Sequence, residues 1–432
     1  MRLYKNRPAD VVLVFALIAV STIPFFKSPI GVSLTIGCIL YLNKHLLATI
    51  KIETASFLLL VFILEIYHAT YFQNYEDWVI RQILIFFFTS AFIIYYLKLN
   101  FLTIYVKILY YTTLISFVFF FTYLFSPSII TGFADAMPAL FTKTSMIYRD
   151  TYKQVNPIIY NFDHNFYKGR NNGPFWEPTV FASLLLVGQI FNLLLNKAIF
   201  NKTGVVFTIG ILTTQSTTVF IAYFIFITSY FLLNSKFKIA YKIILLIVSI
   251  FAGLYSFSYL SFLEEKINTE ILDIDNNIES RGDSRMASAL LDLSEVSRDD
   301  LFLLLGKGSS SYSRIGGTDK DDLRNCGLTA LLVEWGVPFF ILYVGLLFYS
   351  FYQLTKYYGI NVLFSITFVF TILLVSFSEV FLDLPLFHCL IFIGLMMKRY
   401  YRNNHYVPVD HLIRRETNVV EINPRLYNKQ LG

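Results

Sequence analysis

Apolar runs long enough to cross a bilayer recur from near the start of the chain almost to its end, separated by short polar breaks. The pattern predicts helical spans at about 11–26, 29–43, 55–72, 79–97 and 101–126. It predicts further spans at about 179–196, 204–214, 217–233, 243–262, 327–354, 360–381 and 384–397. Lys27, Ser28 and Pro29 divide the first two, which are short and fit a tilted or partly interfacial placement. The run 204–233 is long enough for one helix, but Thr213-Thr214-Gln215-Ser216-Thr217-Thr218 interrupts it.

Positive charge arbitrates the count. Lys44, Lys51, Lys98, Lys197, Lys202, the trio Lys236, Lys238 and Lys242, and Lys356 all fall on one side only if 204–233 crosses twice. The basic tail (Lys398, Arg399, Arg402, Arg414, Arg415, Arg425) then falls on that side too. The expected fold class is therefore all-α: a polytopic transmembrane helical bundle of about 12 spans, both termini cytoplasmic. Its parts are residues 1–126 (spans one to five), 127–178 (a first large outer loop) and 179–262 (spans six to nine). A second large outer loop at 263–326, carrying short amphipathic helices, spans ten to twelve at 327–397 and a basic tail at 398–432 complete it. Because each half of 204–233 is short, its polar break must be covered by protein or water.

Composition excludes a soluble globule: 56% of the 432 residues are hydrophobic and only 15% charged. Cys38, Cys326 and Cys389 lack motif spacing and the histidines are scattered, so neither a disulfide framework nor a metal site is indicated. Arg2, Lys5 and Arg7 precede an apolar run with no convincing cleavage site, which reads as a retained first span. The second outer loop holds 14 acidic against 8 basic residues, a net of −6, which argues against nucleic acid as a partner.

Candidate chemistry concentrates at Gly169–Ala182, GRNNGPFWEPTVFA. Turn-forming residues surround Arg170, Phe175 and Trp176 suit a membrane interface, and Glu177 stands before Pro178 at a helix start. An arginine and a carboxylate are thus placed at the mouth of a span; an interfacial anchor with a helix cap accounts for the same residues. In the second loop, Met286, Leu290, Leu293 and Val296 recur at helix spacing, predicting an amphipathic helix on the outer surface, capped near Asp283 or Ser284. Arg281 and Arg285 lie at its start and Arg298 beyond its end. Leu301–Leu305 then leads into Gly306-Lys307-Gly308-Ser309, a glycine turn without the spacing of a nucleotide-binding loop. Asn325-Cys326-Gly327-Leu328 opens span ten, whose first turns carry Glu334 and Gly336. Loop salt bridges, a helix–helix ion pair for Glu334, outward snorkelling for Arg81 and plain solvation for His164 are the structural alternatives.

The order of these motifs resembles the O-antigen polymerase, or Wzy-type, family, related to the O-antigen ligases. The resemblance rests on the Gly173-Pro174-Phe175-Trp176-Glu177-Pro178 start of span six, followed by Ala182. It rests also on Arg285 followed by Gly306 and Gly308, and on Leu328, Leu331, Glu334 and Gly336 in span ten. It covers roughly 165–355, and the ligases carry a histidine where this chain has Asn325, which favours the polymerase. The resemblance implies an enzyme of the bacterial cytoplasmic (inner) membrane. It would transfer a growing glycan from undecaprenyl pyrophosphate to the non-reducing end of an incoming lipid-linked repeat unit. No cofactor and no metal would be needed, and membrane lipid and a chain-length regulator protein are the candidate partners. Arginine suits a departing pyrophosphate because its fork pairs bidentately with phosphate oxygens. Arg170, Arg281 and Arg285 are the candidates, with Arg298 behind them. Glu177 is the first candidate base and His164 the second, with Asn325 and Glu334 as secondary positions. A ligase-type transferase, a lipid-linked oligosaccharide flippase and a non-catalytic scaffold are the alternatives.

Overall fold

The computed structural model describes residues 7–27, 32, 37, 51–71, 77–138, 141–147, 150–162, 169–234, 238–240, 242, 285–308 and 326–403. Apart from single positions, the expected spans at 29–43 and 243–262 lie outside the described residues, as do His164, Arg281, Asn325 and the side chain of Arg81. The elements are α1 (Pro8–Thr22), α2 (Ile52–Tyr71), α3 (Asp77–Leu97), α4 (Asn100–Phe125) and α5 (Pro127–Asp135). After a small hairpin come α6 (Pro178–Asn196), α7 (Lys202–Thr214), α8 (Thr217–Leu233), α9 (Arg285–Val296) and α10 (Asp300–Leu305). The chain closes with α11 (Gly327–Tyr358), α12 (Phe364–Ser378) and α13 (Pro385–Asn403). Among the described residues α2, α4, α6 and α11 are long and apolar enough to cross a membrane, and six shorter apolar helices accompany them. The helical character expected from hydropathy is present, with apolar helices that suit a membrane protein.

One departure lies in the first polar loop, where β1 (Thr142–Ile147) and β2 (Asp150–Val155) form an antiparallel pair with Thr142 opposite Val155. The two six-residue strands mix polar residues with Thr, Ile, Tyr and Val, which suit a pleated, half-covered surface but give no continuous apolar run to notice in sequence.

The bundle is built around α6. Some 94% of its membrane-length window is buried, against 22% for α4, so α6 is wrapped by neighbours while α4 shows most of its surface outward. Pro178 begins α6 at a first-turn position where its missing amide costs nothing, and Lys197 ends it in the left-handed region. Polar residues join α6 to the hairpin that follows. Gln189 donates to the Gly204 carbonyl and to Tyr223 Oη, both at 3.2 Å. Asn201 caps α7 by accepting from the Gly204 amide at 2.8 Å. Such contacts hold helices together where no hydrophobic force separates lipid from Leu.

The break expected within 204–233 occurs at Gln215-Ser216, with Gln215 left-handed at φ 50°. Thr208 Oγ1 meets Tyr223 Oη at 2.5 Å. These two residues are equidistant from the break and would lie about 22 Å apart along one straight helix, so α7 and α8 fold back on each other. The break is covered by protein: the Asn171 amide donates to the Thr213 carbonyl at 3.0 Å, and the Gln215 side chain donates to the Gly169 carbonyl at 3.1 Å.

A second break lies inside α11. Gly336 adopts φ 80°, ψ 167°, and Pro338 has no amide to offer the Glu334 carbonyl four residues back. The Gly306–Gly308 segment supplies what is missing, Lys307 N donating to the Val333 carbonyl at 2.8 Å and Gly308 N to the Glu334 carbonyl at 2.9 Å. Gly306 and Gly336 are both left-handed and pack backbone to backbone; a Cβ on Gly336 would stand 2.6 Å from the Leu304 carbonyl oxygen. The G-x-G turn is therefore a backbone patch on a broken helix. Gly306→Ala, which puts a Cβ against the Glu334 carbonyl, should lower unfolding stability by about 1–3 kcal/mol, read from thermal unfolding in detergent. An unchanged melting temperature would refute this role.

Candidate functional site

The site forms where four chain segments end at the same pole of the bundle. Glu177 is the N-cap of α6 in extended backbone (φ −153°, ψ 163°), yet its side chain makes no capping hydrogen bond. Its carboxylate instead neighbours that of Glu379, the residue at which α12 gives way to extended chain (φ −156°, ψ 155°). Arg285, first residue of α9, donates from Nε to the Ser378 carbonyl at 2.7 Å and from Nη2 to Glu379 Oε1 at 3.4 Å. Gly327, first residue of α11, lies so close to the 379–380 backbone that a Cβ would overlap the Glu379 carbonyl and sit 2.5 Å from Val380 Cα. That close approach needs glycine.

Burial and the neighbouring Glu177 carboxylate push Glu379 well above the ordinary carboxylate value; the Arg285 guanidinium pulls the other way without cancelling them. Two carboxyl groups in one partly desolvated place do not both ionise cheaply, which is why Glu379 favours its protonated form. The side chains of Arg285 and Glu379 each keep 21% of their surface accessible, so the cluster is recessed but open. Among the described residues Arg285 Nη1 has no hydrogen-bond acceptor, which leaves that part of the fork available to an anionic ligand. A cation beside two carboxyl groups can stabilise a departing anion and take or give one proton.

Arg285 is aimed by α9, and α9 is held by its acids. Asp292 accepts from Thr329 Oγ1 at 2.7 Å, and Glu295 pairs with Lys307 at 2.7 Å, both acids buried. Lys307 also lies 4.6 Å from the Phe302 ring centroid. These contacts tie α9 to α11 and to the patch segment, so the guanidinium is presented by a braced helix.

The other sequence candidates fall elsewhere. Arg170 donates from Nε to the Thr214 carbonyl at 2.9 Å, serving the C-terminus of α7 beside the helix break. Arg298 is exposed on the turn between α9 and α10. Glu334 is buried within α11, and its carbonyl takes the Gly308 amide. Phe175, expected at a membrane interface, is buried at 1% exposure and packs on Phe181 with ring centroids 5.3 Å apart; Trp176 is half-buried. The turn before α6 folds back into protein, because the Asn161 amide donates to the Gly173 carbonyl at 2.7 Å and Asn156 Nδ2 to the Pro174 carbonyl at 2.8 Å.

Glu379 was not among the sequence candidates. The apolar run 360–381 absorbed it, although a carboxylate inside a predicted span is itself a functional signal. The same signal marks Glu65 and His68 of α2, both buried. His68 Nε2 is 2.7 Å from the Leu305 carbonyl, which can only accept, so that nitrogen carries the proton. Among the described residues no group of three or more His, Cys, Asp or Glu is placed to hold a metal ion. Compared with known proteins, the chain matches no protein-family model, and no curated protein matches it.

The raised Glu379 value makes a stability prediction. The folded state binds its proton more tightly than the unfolded chain, whose Glu titrates near 4.5. The stabilisation it carries is complete below that pH and is lost as pH rises through the higher folded value. Glu379→Gln should therefore flatten the fall in melting temperature between acid and neutral pH. A fall as steep as that of the unsubstituted protein would show that Glu379 is not the group responsible.

Proposed function

We propose that the chain is a polysaccharide polymerase acting on lipid-linked repeat units, metal-independent and without a cofactor, at the outer face of the bacterial cytoplasmic membrane. The observation that carries this reading is the meeting of Glu177, from the first polar loop, with Arg285, from the second, across Glu379. The donor is a glycan on undecaprenyl pyrophosphate and the acceptor a second lipid-linked repeat unit. As the acceptor hydroxyl attacks the anomeric carbon, the new C–O bond forms and the bond to the pyrophosphate oxygen breaks. Glu177 takes the hydroxyl proton, Glu379 holds Glu177 and Arg285 in register, and the Arg285 fork meets the charge growing on the pyrophosphate. Pyrophosphate is already a good leaving group, so positioning, one base and one fixed cation suffice.

In this reading the bundle has twelve crossings with both termini cytoplasmic. Lys51 Nζ donates to the Leu395 and Met396 carbonyls at 2.9 and 2.7 Å, which places the start of α2 beside the far end of α13. Lys197 lies against Gly359, at the ends of α6 and α11 remote from the carboxyl pair. Basic residues thus gather at the pole opposite the site, as the positive-inside rule asks of a cytoplasmic pole.

Two experiments follow. With a synthetic lipid-linked repeat unit as substrate, Arg285→Ala should cut turnover about 10²–10³-fold. Arg285→Lys, which keeps charge and loses the fork, should do nearly as much damage with an unchanged melting temperature. Glu177→Gln should be similarly impaired, whereas a residue acting only as a helix cap would cost about 0.3–1 kcal/mol and leave turnover near normal. Full ladder formation by Arg285→Lys would reduce Arg285 to a tether between α9 and α12. For topology, a cysteine at Asn234 should resist an impermeant thiol reagent in cells whose outer barrier is permeabilised, while one at Arg298 should label. Labelling at Asn234 would overturn the twelve-span arrangement.

A further inference from the structure

Helix α9 is inside out for a helix that faces water. Its polar side chains point inward: Ser288 and Asp292 are fully buried and Glu295 is 1% exposed. Three of its large apolar side chains point outward, Met286 at 42%, Leu290 at 45% and Leu293 at 48% exposed, while Val296 is buried. A surface helix in water shows the opposite arrangement, because burying carboxylates is costly and exposing a leucine stripe forfeits the hydrophobic gain. Here the acids are supplied with partners, Thr329 for Asp292 and Lys307 for Glu295, so their burial is specific. The outward stripe then needs a medium that is not water.

What surrounds the stripe identifies that medium. Leu304 of α10, the helix that follows, is also exposed, at 54%. Next to α10 stands the end of α2. His68 meets the Leu305 carbonyl, and the Gly308 Cα side packs on the His68 ring. Just below that junction α2 exposes Ile63 at 54% and Ile66 at 50%, on a helix of membrane-crossing length. The α9–α10 stripe therefore lies beside the end of a helix of membrane-crossing length. The polar residues at the α9–α10 turn, Ser297, Arg298 and Asp299, are exposed and form its wet edge.

We propose that α9 and α10 are set into the membrane leaflet at the site's own pole, their Met286, Leu290, Leu293 and Leu304 side chains among the lipid acyl chains. The helix bearing Arg285 is in this arrangement an in-plane membrane element, not a water-facing lid. The consequence is one of depth: Arg285 sits at the boundary between hydrocarbon and headgroups, where the phosphate of any lipid-borne ligand lies without being lifted from the bilayer. This inference rests on the membrane-spanning architecture and not on the polymerase reading, and its test reads lipid contact, not turnover.

The full-length protein, with Cys38, Cys326 and Cys389 replaced by serine, receives a single cysteine at Leu290, Leu293 or, as the wet control, Ser297. Each is labelled with an environment-sensitive nitrobenzoxadiazole dye and placed in nanodiscs of phosphatidylethanolamine and phosphatidylglycerol. If the serine background does not fold, p-benzoylphenylalanine at Leu290 in the natural-cysteine protein reports the same contact as photoadducts with phospholipid. Labels at Leu290 and Leu293 should emit at shorter wavelength than at Ser297. They should be quenched several-fold more by lipid bearing a doxyl group high on its acyl chain than by aqueous iodide, with the reverse at Ser297. Iodide quenching at Leu290 equal to that at Ser297 would overturn the proposal, because the stripe would then face water. Self-quenching between labels, or protein–protein photoadducts in place of lipid adducts, would overturn it equally by making a second copy the occupant.

Discussion

A backbone amide or carbonyl left bare in hydrocarbon costs several kcal/mol, and that constraint organises this molecule. Two apolar helical runs are broken, α7–α8 at Gln215 and α11 at Gly336. Each break exposes carbonyls that the helix can no longer satisfy, and each is repaired by a segment from one of the two large polar loops. Asn171 and Arg170 serve Thr213 and Thr214, while Lys307 and Gly308 serve Val333 and Glu334. The repair segments are anchored by backbone geometry, and the chain running from each delivers one member of the charged cluster. Glu177 follows the first repair by a short turn, and Arg285 precedes the second by two short helices. The loops are placed because the breaks demand them.

The cluster so assembled works against burial. A carboxyl pair recessed among helix ends is expensive when fully ionised, and the protein lowers the expense by favouring the protonated form of Glu379 and by one guanidinium. Arg285 in turn is costly to aim, and its helix is braced by the buried Glu295–Lys307 pair, whose rupture by loss of one partner typically costs about 3–5 kcal/mol. That bracing shows on the outside as leucines where charges are usual. The burial of acids under α9 and the exposure of its apolar stripe are one fact seen from two sides.

Hydropathy alone located the described apolar helices, most to within a few residues, and spacing alone located α9, because both signals are local: a helix of period 3.6 writes its buried face into its own sequence. The break inside 204–233 was legible for the same reason, as a polar run within an apolar one, and the lysine pattern already required the chain to turn there. Glu177 and Arg285 were also legible as candidates, since each stands beside a helix start with an identifiable composition.

Only the tertiary structure decided what those residues meet. Glu379 carries no local mark beyond being an acid at the end of an apolar run, and it joins the site because α12 stops at Ser378 and Gly327 lets α11 press against the turn. Arg170 and Arg285 are indistinguishable in sequence as loop arginines, yet one serves a helix carbonyl and the other a carboxyl pair. The G-x-G turn reads like a ligand loop, and its amides are spent on α11. Periodicity reports which face of a helix differs from the other but not which face points inward, so the outward turn of α9's leucines came from its partners. The physical reason is the same throughout: local sequence sets propensity and pattern, whereas satisfaction of a buried polar group is settled by whatever distant backbone or side chain the fold brings against it.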